Sequence, residues 1–311
     1  MSLRVLLLLV VSAWPVFGLS EQHVDENFSV SAGAKLIVDV DFGTIDLSRG
    51  PESSIAVNVS RKIDGPNETQ EKEYLASAPL TIAKEGNTVV VRARPEHQGK
   101  SWTWSGHTTM QARYTIRVPA EVSVELATGG GEIMATEVSG SCKAETSGGN
   151  LTFTRVRGPL RASTCGGHIA LESCDGAINL NTSGGKIEAV AGSGTLDASS
   201  AGGSIVVRNF GGDTKVETGG GALSLENVHG RLVGETSGGS ISATVPAPLA
   251  GDIKLETNAE ANEGSVTSEI PMVMERAGRD GLKGTINGGG KSLVLRSGAG
   301  NIVIRSTTPM R

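Results

Sequence analysis

A glycine motif recurs in this chain at one fixed interval. TGGGE at 128–132 is followed by TSGGN at 146–150, TCGGH at 164–168, TSGGK at 182–186, SAGGS at 200–204, TGGGA at 218–222 and TSGGS at 236–240. Seven copies without a slip call for a structure in which each unit must match the one before it. After each Gly pair stands an aliphatic: Ile133, Leu151, Ile169, Ile187, Ile205, Leu223 and Ile241. Two residues further stand Ala135, Phe153, Leu171, Ala189, Val207, Leu225 and Ala243, with a variable and often polar residue between. Period two is the mark of a strand with one buried face.

A second glycine keeps the same interval, at 140, 158, 176, 194, 212 and 230. Two residues beyond it begins another alternating run, Cys142-x-Ala144-x-Thr146 in one copy and Leu160-x-Ala162-x-Thr164 in the next. Each unit therefore reads strand, glycine turn, strand, Gly-pair turn. One such unit cannot bury its apolar face alone, and stacked copies can. A one-residue slip would turn every inward side chain outward, which accounts for the fixed length. The expected fold is all-β: a parallel β-solenoid, or β-helix, with about 18 residues and two strands per rung. Its expected hand is right, the general preference of parallel connections. An antiparallel meander is the runner-up. The Gly pairs are expected to take positive φ at tight corners, and the Thr/Ser file that includes Thr146 is expected to lie inside.

The flanks suggest four segments. Arg4 followed by the apolar run VLLLLVVSAWPVFGLS reads as a signal peptide over 1–20. Residues 21–120 read as an irregular β-rich N-terminal part, 121–245 as the regular repeats, and 246–311 as C-terminal β rungs with an insertion near 270–281. The polar span 61–74 carries no strand pattern, and no long amphipathic helical run stands out. No second apolar stretch is long enough to span a bilayer, so no transmembrane segment is expected in the mature chain. The protein is expected to be exported, periplasmic or secreted, with association to the cell surface an option. A formal net charge of -5 argues against nucleic acid as a partner.

The usual chemistries of an 18-residue period fit poorly. The hexapeptide code of acyltransferases fails because six-residue steps from Ile169 land on Asp175 and Asn181. Calcium-binding nonapeptides need GGxGxD twice per turn, and those aspartates are missing. A phosphate loop needs GxxxxGK[ST] leading into a helix, and neither is present. The five histidines, His23, His97, His107, His168 and His229, form no HExxH motif and no zinc spacing with Cys142, Cys165 or Cys174. Glu172 with Asp175, or Glu188 with Asp197, are the carboxylate pairs that acid/base chemistry would use. No catalytic, cofactor-binding or metal-binding residue is assigned, and no cofactor is expected. Trp102 and Trp104 are the candidate ligand contacts, since two nearby indoles can stack on a sugar ring; a local packing plug is the other reading.

YTIRVPAEVSVELATGGGEI at 114–133, the TSGG-centred repeats through 239 and KGTINGGGKSLVLRSGAGNIVI at 283–304 together resemble the bacterial putative-adhesin family of β-strand-repeat domains. The resemblance implies an exported, often envelope-associated protein with a solenoid-like fold, and it brings no catalytic residue. The expected function is that of a non-enzymatic adhesin-like or structural envelope protein. Its partner would be a glycan, a wall polymer or an envelope protein. The alternative is a carbohydrate-active β-helix enzyme acting on an envelope or extracellular polysaccharide.

Overall fold

The computed structural model describes residues 21–64, 68–95, 109–246, 250–257, 264–278 and 280–307. The apolar segment before residue 21 and both Trp102 and Trp104 lie outside the described residues. Within them, alternation becomes burial. Cys142–Thr146 and Leu160–Thr164 bury every second side chain, and Leu151–Thr154 and Ile169–Glu172 do the same. Neighbouring copies lie side by side and parallel, offset by one full repeat. Leu160 pairs with Cys142 and Ile178, and Leu151 pairs with Ile133 and Ile169.

The expected fold class nevertheless needs correction. The described strands bond into one mixed 25-stranded sheet that wraps round a single core, a nearly closed barrel and not a parallel β-solenoid or β-helix. Five pairings are antiparallel, which a uniform parallel stack does not contain. Glu21–Ser29, Ser54–Asp64 and Thr109–Val118 run antiparallel in that order at one end, with Thr81–Glu85 antiparallel to Thr88–Ala93. At the other end Val273–Ala277, Gly281–Ile286 and Gly251–Thr257 do likewise.

Spatial order also departs from chain order. Ala34–Val40 lies between Thr88–Ala93 and Val122–Thr128, parallel to both. Lys291–Ser297 lies between Leu232–Thr236 and Gly251–Thr257, again parallel to both. Nor is the two-strand unit uniform, because Ile187–Ser200 and Ile205–Thr218 run as unbroken strands of 14 residues.

The corners have a different basis from the expected one. Three residues before each corner glycine stands a non-glycine residue in the left-handed region: Glu137, Arg155, Ser173, Ala191, Asn209 and Asn227, with φ from 53 to 58°. The corner glycines follow with φ from 112° at Gly194 to 148° at Gly212. The Gly pairs, by contrast, mostly lack positive φ; Gly131 is the exception at 154°. Their second glycine is required by close approach. A Cβ on Gly149, Gly167, Gly185, Gly203 or Gly239 would collide with the carbonyl of the equivalent glycine in the preceding copy. The first glycine has room: nothing lies within 4 Å of a Cβ on Gly148 or Gly166.

This close approach is held by the inward hydroxyl file. Thr146 donates to the Gly131 carbonyl at 2.9 Å and accepts from the Gly149 amide at 3.3 Å. The same bridge recurs at Thr164, Thr182, Ser200, Thr218, Thr236 and Ser297. Each hydroxyl is buried and satisfied as donor and acceptor, so the file carries no unpaired-group penalty.

One helix, Glu68–Ser77, lies in the span that showed no periodic pattern. Tyr74 and Ala78 bury against Ile63, with Phe42, Leu75 and Met110 packed alongside, closing the N-terminal end of the wall.

Candidate functional site

A cleft of about 720 Å³ lies over the Gly-pair corner near the C-terminal end. Strand register builds it. The outward residues Ser199, Glu217, Glu235, Arg296 and Glu256 stand side by side on five neighbouring strands. Adjacent strands are about 4.8 Å apart, so the row repeats polar groups at that spacing. Gly219 and Gly298 line its end, each lacking a Cβ that would meet the carbonyl of Ala201 or Ser237, and Ser237 adds a hydroxyl beside them.

The interleaved strand decides the electrostatics of this row. Lys291–Ser297 places Arg296 between Glu235 and Glu256, which would otherwise belong to adjacent strands. Arg296 donates from Nη1 to Glu235 at 2.5 Å and from Nε to Glu256 at 3.1 Å. Hydrogen bonding by Lys254, then by Arg296, holds the Glu256 carboxyl below the usual glutamate range. Lys215 pairs with Glu217 at 2.7 Å, and that carboxylate raises the lysine pKa. The row is therefore one hydroxyl, Ser199, followed by carboxylates paired with Lys215, Arg296 and Lys254. It can hydrogen-bond a polar ligand along its length.

A similar row of charges crosses the other stretch of wall. Arg208 reaches Glu188 at 2.7 Å and Glu226 at 3.3 Å, and Arg155 reaches Glu137 at 2.9 Å. These pairs join residues of neighbouring copies and are partly exposed, so each contributes little to stability.

The sequence-level candidates do not converge. Glu188 and Asp197 stand on either side of the Ala191–Gly194 corner of one strand, and Glu188 is engaged by Lys186 and Arg208. Asp175 accepts from the Ser193 hydroxyl at 2.6 Å and Glu172 is exposed. His168 accepts the Lys186 amide at 2.8 Å through Nδ1, and His23 contacts Asp25 at 3.0 Å. His97, His107, Trp102 and Trp104 lie outside the described residues. No group of three or more His, Cys, Asp or Glu positioned to hold a metal ion occurs among the described residues. None of the described helices is long and apolar enough to cross a membrane. The cleft row was missed at the sequence level because Glu235, Arg296 and Glu256 become neighbours at offsets that do not follow the repeat.

No family model matches the chain, and no curated protein matches it. Several solved bacterial structures are similar. One is a putative lipid binding protein from Parabacteroides distasonis ATCC 8503, at 12% identity and a TM-score of 0.40, covering 90% of this chain and 96% of that one. Another is a putative adhesin from Bacteroides fragilis NCTC 9343, at 14% identity and a TM-score of 0.37, covering 91% and 97%. A third is a putative cell adhesion protein from Clostridium sporogenes ATCC 15579, at 12% identity and a TM-score of 0.27, covering 92% and 100%. The likeness is broad, and what those proteins bind is not transferred to this chain.

Proposed function

We propose that this is an exported, non-enzymatic protein of the adhesin-like envelope class that binds an extended polar polymer, a glycan or wall polymer, along its wall. The observation that carries the reading is the cleft row Ser199–Glu217–Glu235–Arg296–Glu256. Its polar groups, one hydroxyl, three paired carboxylates and one guanidinium, follow one another at the strand spacing and suit many weak hydrogen bonds to successive units of a chain. The depressed pKa of Glu256 fits a hydrogen-bond acceptor; a general acid needs the opposite shift. Export rests on the apolar segment at 5–20.

The test is a glycan array together with a pull-down on purified envelope polymers, using the protein and a Ser199→Ala, Glu217→Lys, Ser237→Ala variant. The expected result is binding by the unaltered protein that weakens at least about tenfold in the variant, the loss of one or two net hydrogen bonds. Equal signals from the two proteins would refute the cleft as the binding surface.

A further inference from the structure

The N-terminal end of the core holds a charge with no ion-pair partner among the described residues. Arg61 occupies an inward position between Val59 and Ile63 on Ser54–Asp64 and is fully buried. Its strand neighbours are Gln22 on one side and the small Ala112 on the other. From Nη1 it donates to Gln22 Oε1 at 3.2 Å and to the Ala78 carbonyl at 3.1 Å. Its guanidinium carbon stands 5.8 Å from the centroid of the Phe42 ring. Nε and Nη2 have no hydrogen-bond partner. These two nitrogens form one edge of the planar fork, the edge that meets a carboxylate or phosphate with two parallel bonds.

A third orphan donor lies in the same place. Tyr114 sits two residues along from Ala112 on the same inward face, fully buried, and its hydroxyl has no partner either. Burial pushes the phenol up to about 12, with the Arg61 charge opposing the rise and the Asp41 charge adding to it, so it remains an O–H donor near neutral pH. The nearby Asp41 carboxylate accepts from the Tyr74 hydroxyl. Arg61 cannot discharge itself by losing a proton, because a guanidinium stays charged at any ordinary pH. A buried charge with an empty donor edge is unfavourable unless an acceptor fills it.

We propose that the Nε/Nη2 edge of Arg61 and the Tyr114 hydroxyl form a buried site for a compact oxyanion, of carboxylate or phosphate type. The charge of Arg61 and its two parallel donor groups favour an oxyanion, which takes both bonds at once, over a neutral water molecule. A cleft of about 490 Å³ is lined by Phe42, Met110 and Ala112 together with the outward Glu21, Lys62 and Arg113, while Arg61 and Tyr114 face the other side of these strands. Phe42 and Met110 also pack in the small core beneath the helix, so the cleft and the buried site share a wall. This site is separate from the polymer-binding cleft and does not depend on it.

The experiment is thermal unfolding of the purified protein at pH 7, titrated separately with sodium formate and sodium phosphate, with chloride exchanged out to hold ionic strength constant. The expected result is a saturating rise of about 3 °C at ten times Kd. Tyr114→Phe keeps the ring and should raise the half-saturating concentration about tenfold, while Arg61→Met should abolish saturation. Saturation by formate alone marks a carboxylate site, and saturation by both marks a general oxyanion site; either supports the proposal. A flat response, or one unchanged in Tyr114→Phe, overturns it, and Tyr114→Phe carries this comparison alone if Arg61→Met does not fold. A crystal soaked in selenate supplies the location. An anomalous peak between Arg61 and Tyr114 is expected, and peaks confined to surface side chains would overturn the proposal.

Discussion

The two glycines of each pair should respond oppositely to the same substitution. In Gly185→Ala the new methyl falls onto the carbonyl oxygen of Gly167, the oxygen that accepts the Thr182 hydroxyl at 2.9 Å. The Gly185 amide donates to that hydroxyl at 3.1 Å, so moving the backbone away breaks both bonds of the bridge. Two net hydrogen bonds are worth about 2 kcal/mol, and a buried group left unsatisfied adds about 1–3 kcal/mol. The sum is about 3–5 kcal/mol, or a fall in Tm of roughly 10 °C for a chain of this size. In Gly184→Ala the nearest atoms to the methyl are carbonyl oxygens at 3.8 and 4.0 Å, and φ lies outside the left-handed region. The smaller conformational freedom of alanine in the unfolded chain then dominates, and the variant should be unchanged or more stable by up to about 1 kcal/mol. Urea unfolding followed by circular dichroism measures both. If Gly185→Ala costs under about 1 kcal/mol, or the two variants fall together, the second glycine is not fixed by close approach.

Three further outcomes follow from the same structure. Ala191 holds φ at 53° on an exposed corner, so Ala191→Gly should stabilise by about 1 kcal/mol, and a loss of stability in urea would contradict left-handed strain there. Cys165 is exposed, whereas Cys142 and Cys174 are buried and burial pushes the Cys142 thiol up to about 12; one thiol of three should react with Ellman's reagent before unfolding, and fast reaction of all three would refute the buried placement. Hydrogen bonding by Lys186, with a further contribution from Arg208, lowers the Glu188 pKa from its ordinary 4.5, so what this carboxylate adds to stability is present above that value and disappears as pH falls through the lowered one. The Tm gap between the protein and Glu188→Gln should therefore close between about pH 5 and about pH 3, and a gap that persists would argue against the ion pairs.

Strand positions were legible because alternation depends only on which side chains face the core. Leu151 and Phe153, or Ile169 and Leu171, announce their inward faces within four residues. The 18-residue pairing offset was legible for the same reason, since parallel neighbours must share register. The role of the glycines was only half legible. Sequence shows that small residues are required at 148 and 149, but only the structure shows that Gly149 meets the carbonyl of Gly131 while Gly148 meets nothing. Four of the six left-handed corner positions, Glu137, Arg155, Ser173 and Ala191, are residue types that give no signal of positive φ, while Asn209 and Asn227 are of a type that does. The helix Glu68–Ser77 was invisible because Tyr74 is its one buried apolar side chain, too few to make a helical period. Arg61 was invisible for a sharper reason: an arginine at an inward strand position contradicts the pattern that identifies inward positions.

The ends of the wall explain why the expected all-parallel stack was wrong. Parallel pairing at a constant offset leaves an open strand edge at each end, and an open edge recruits other chains. This chain meets that problem the same way twice. A strand distant in sequence is threaded in beside the repeats, Ala34–Val40 at one end and Lys291–Ser297 at the other, and antiparallel strands are laid beyond it. Among the outermost strands, Thr81–Glu85, Val266–Ser268 and Val273–Ala277 are short, and the longer Glu21–Ser29 carries the charges of Glu21, Asp25 and Glu26. Threading has a second effect. At the C-terminal end it brings a side chain of a different kind into a row, as Arg296 enters between Glu235 and Glu256. Repetition therefore builds the wall, and the departures from repetition place both features with chemical character: the polar row at Arg296 and the donor cluster at Arg61.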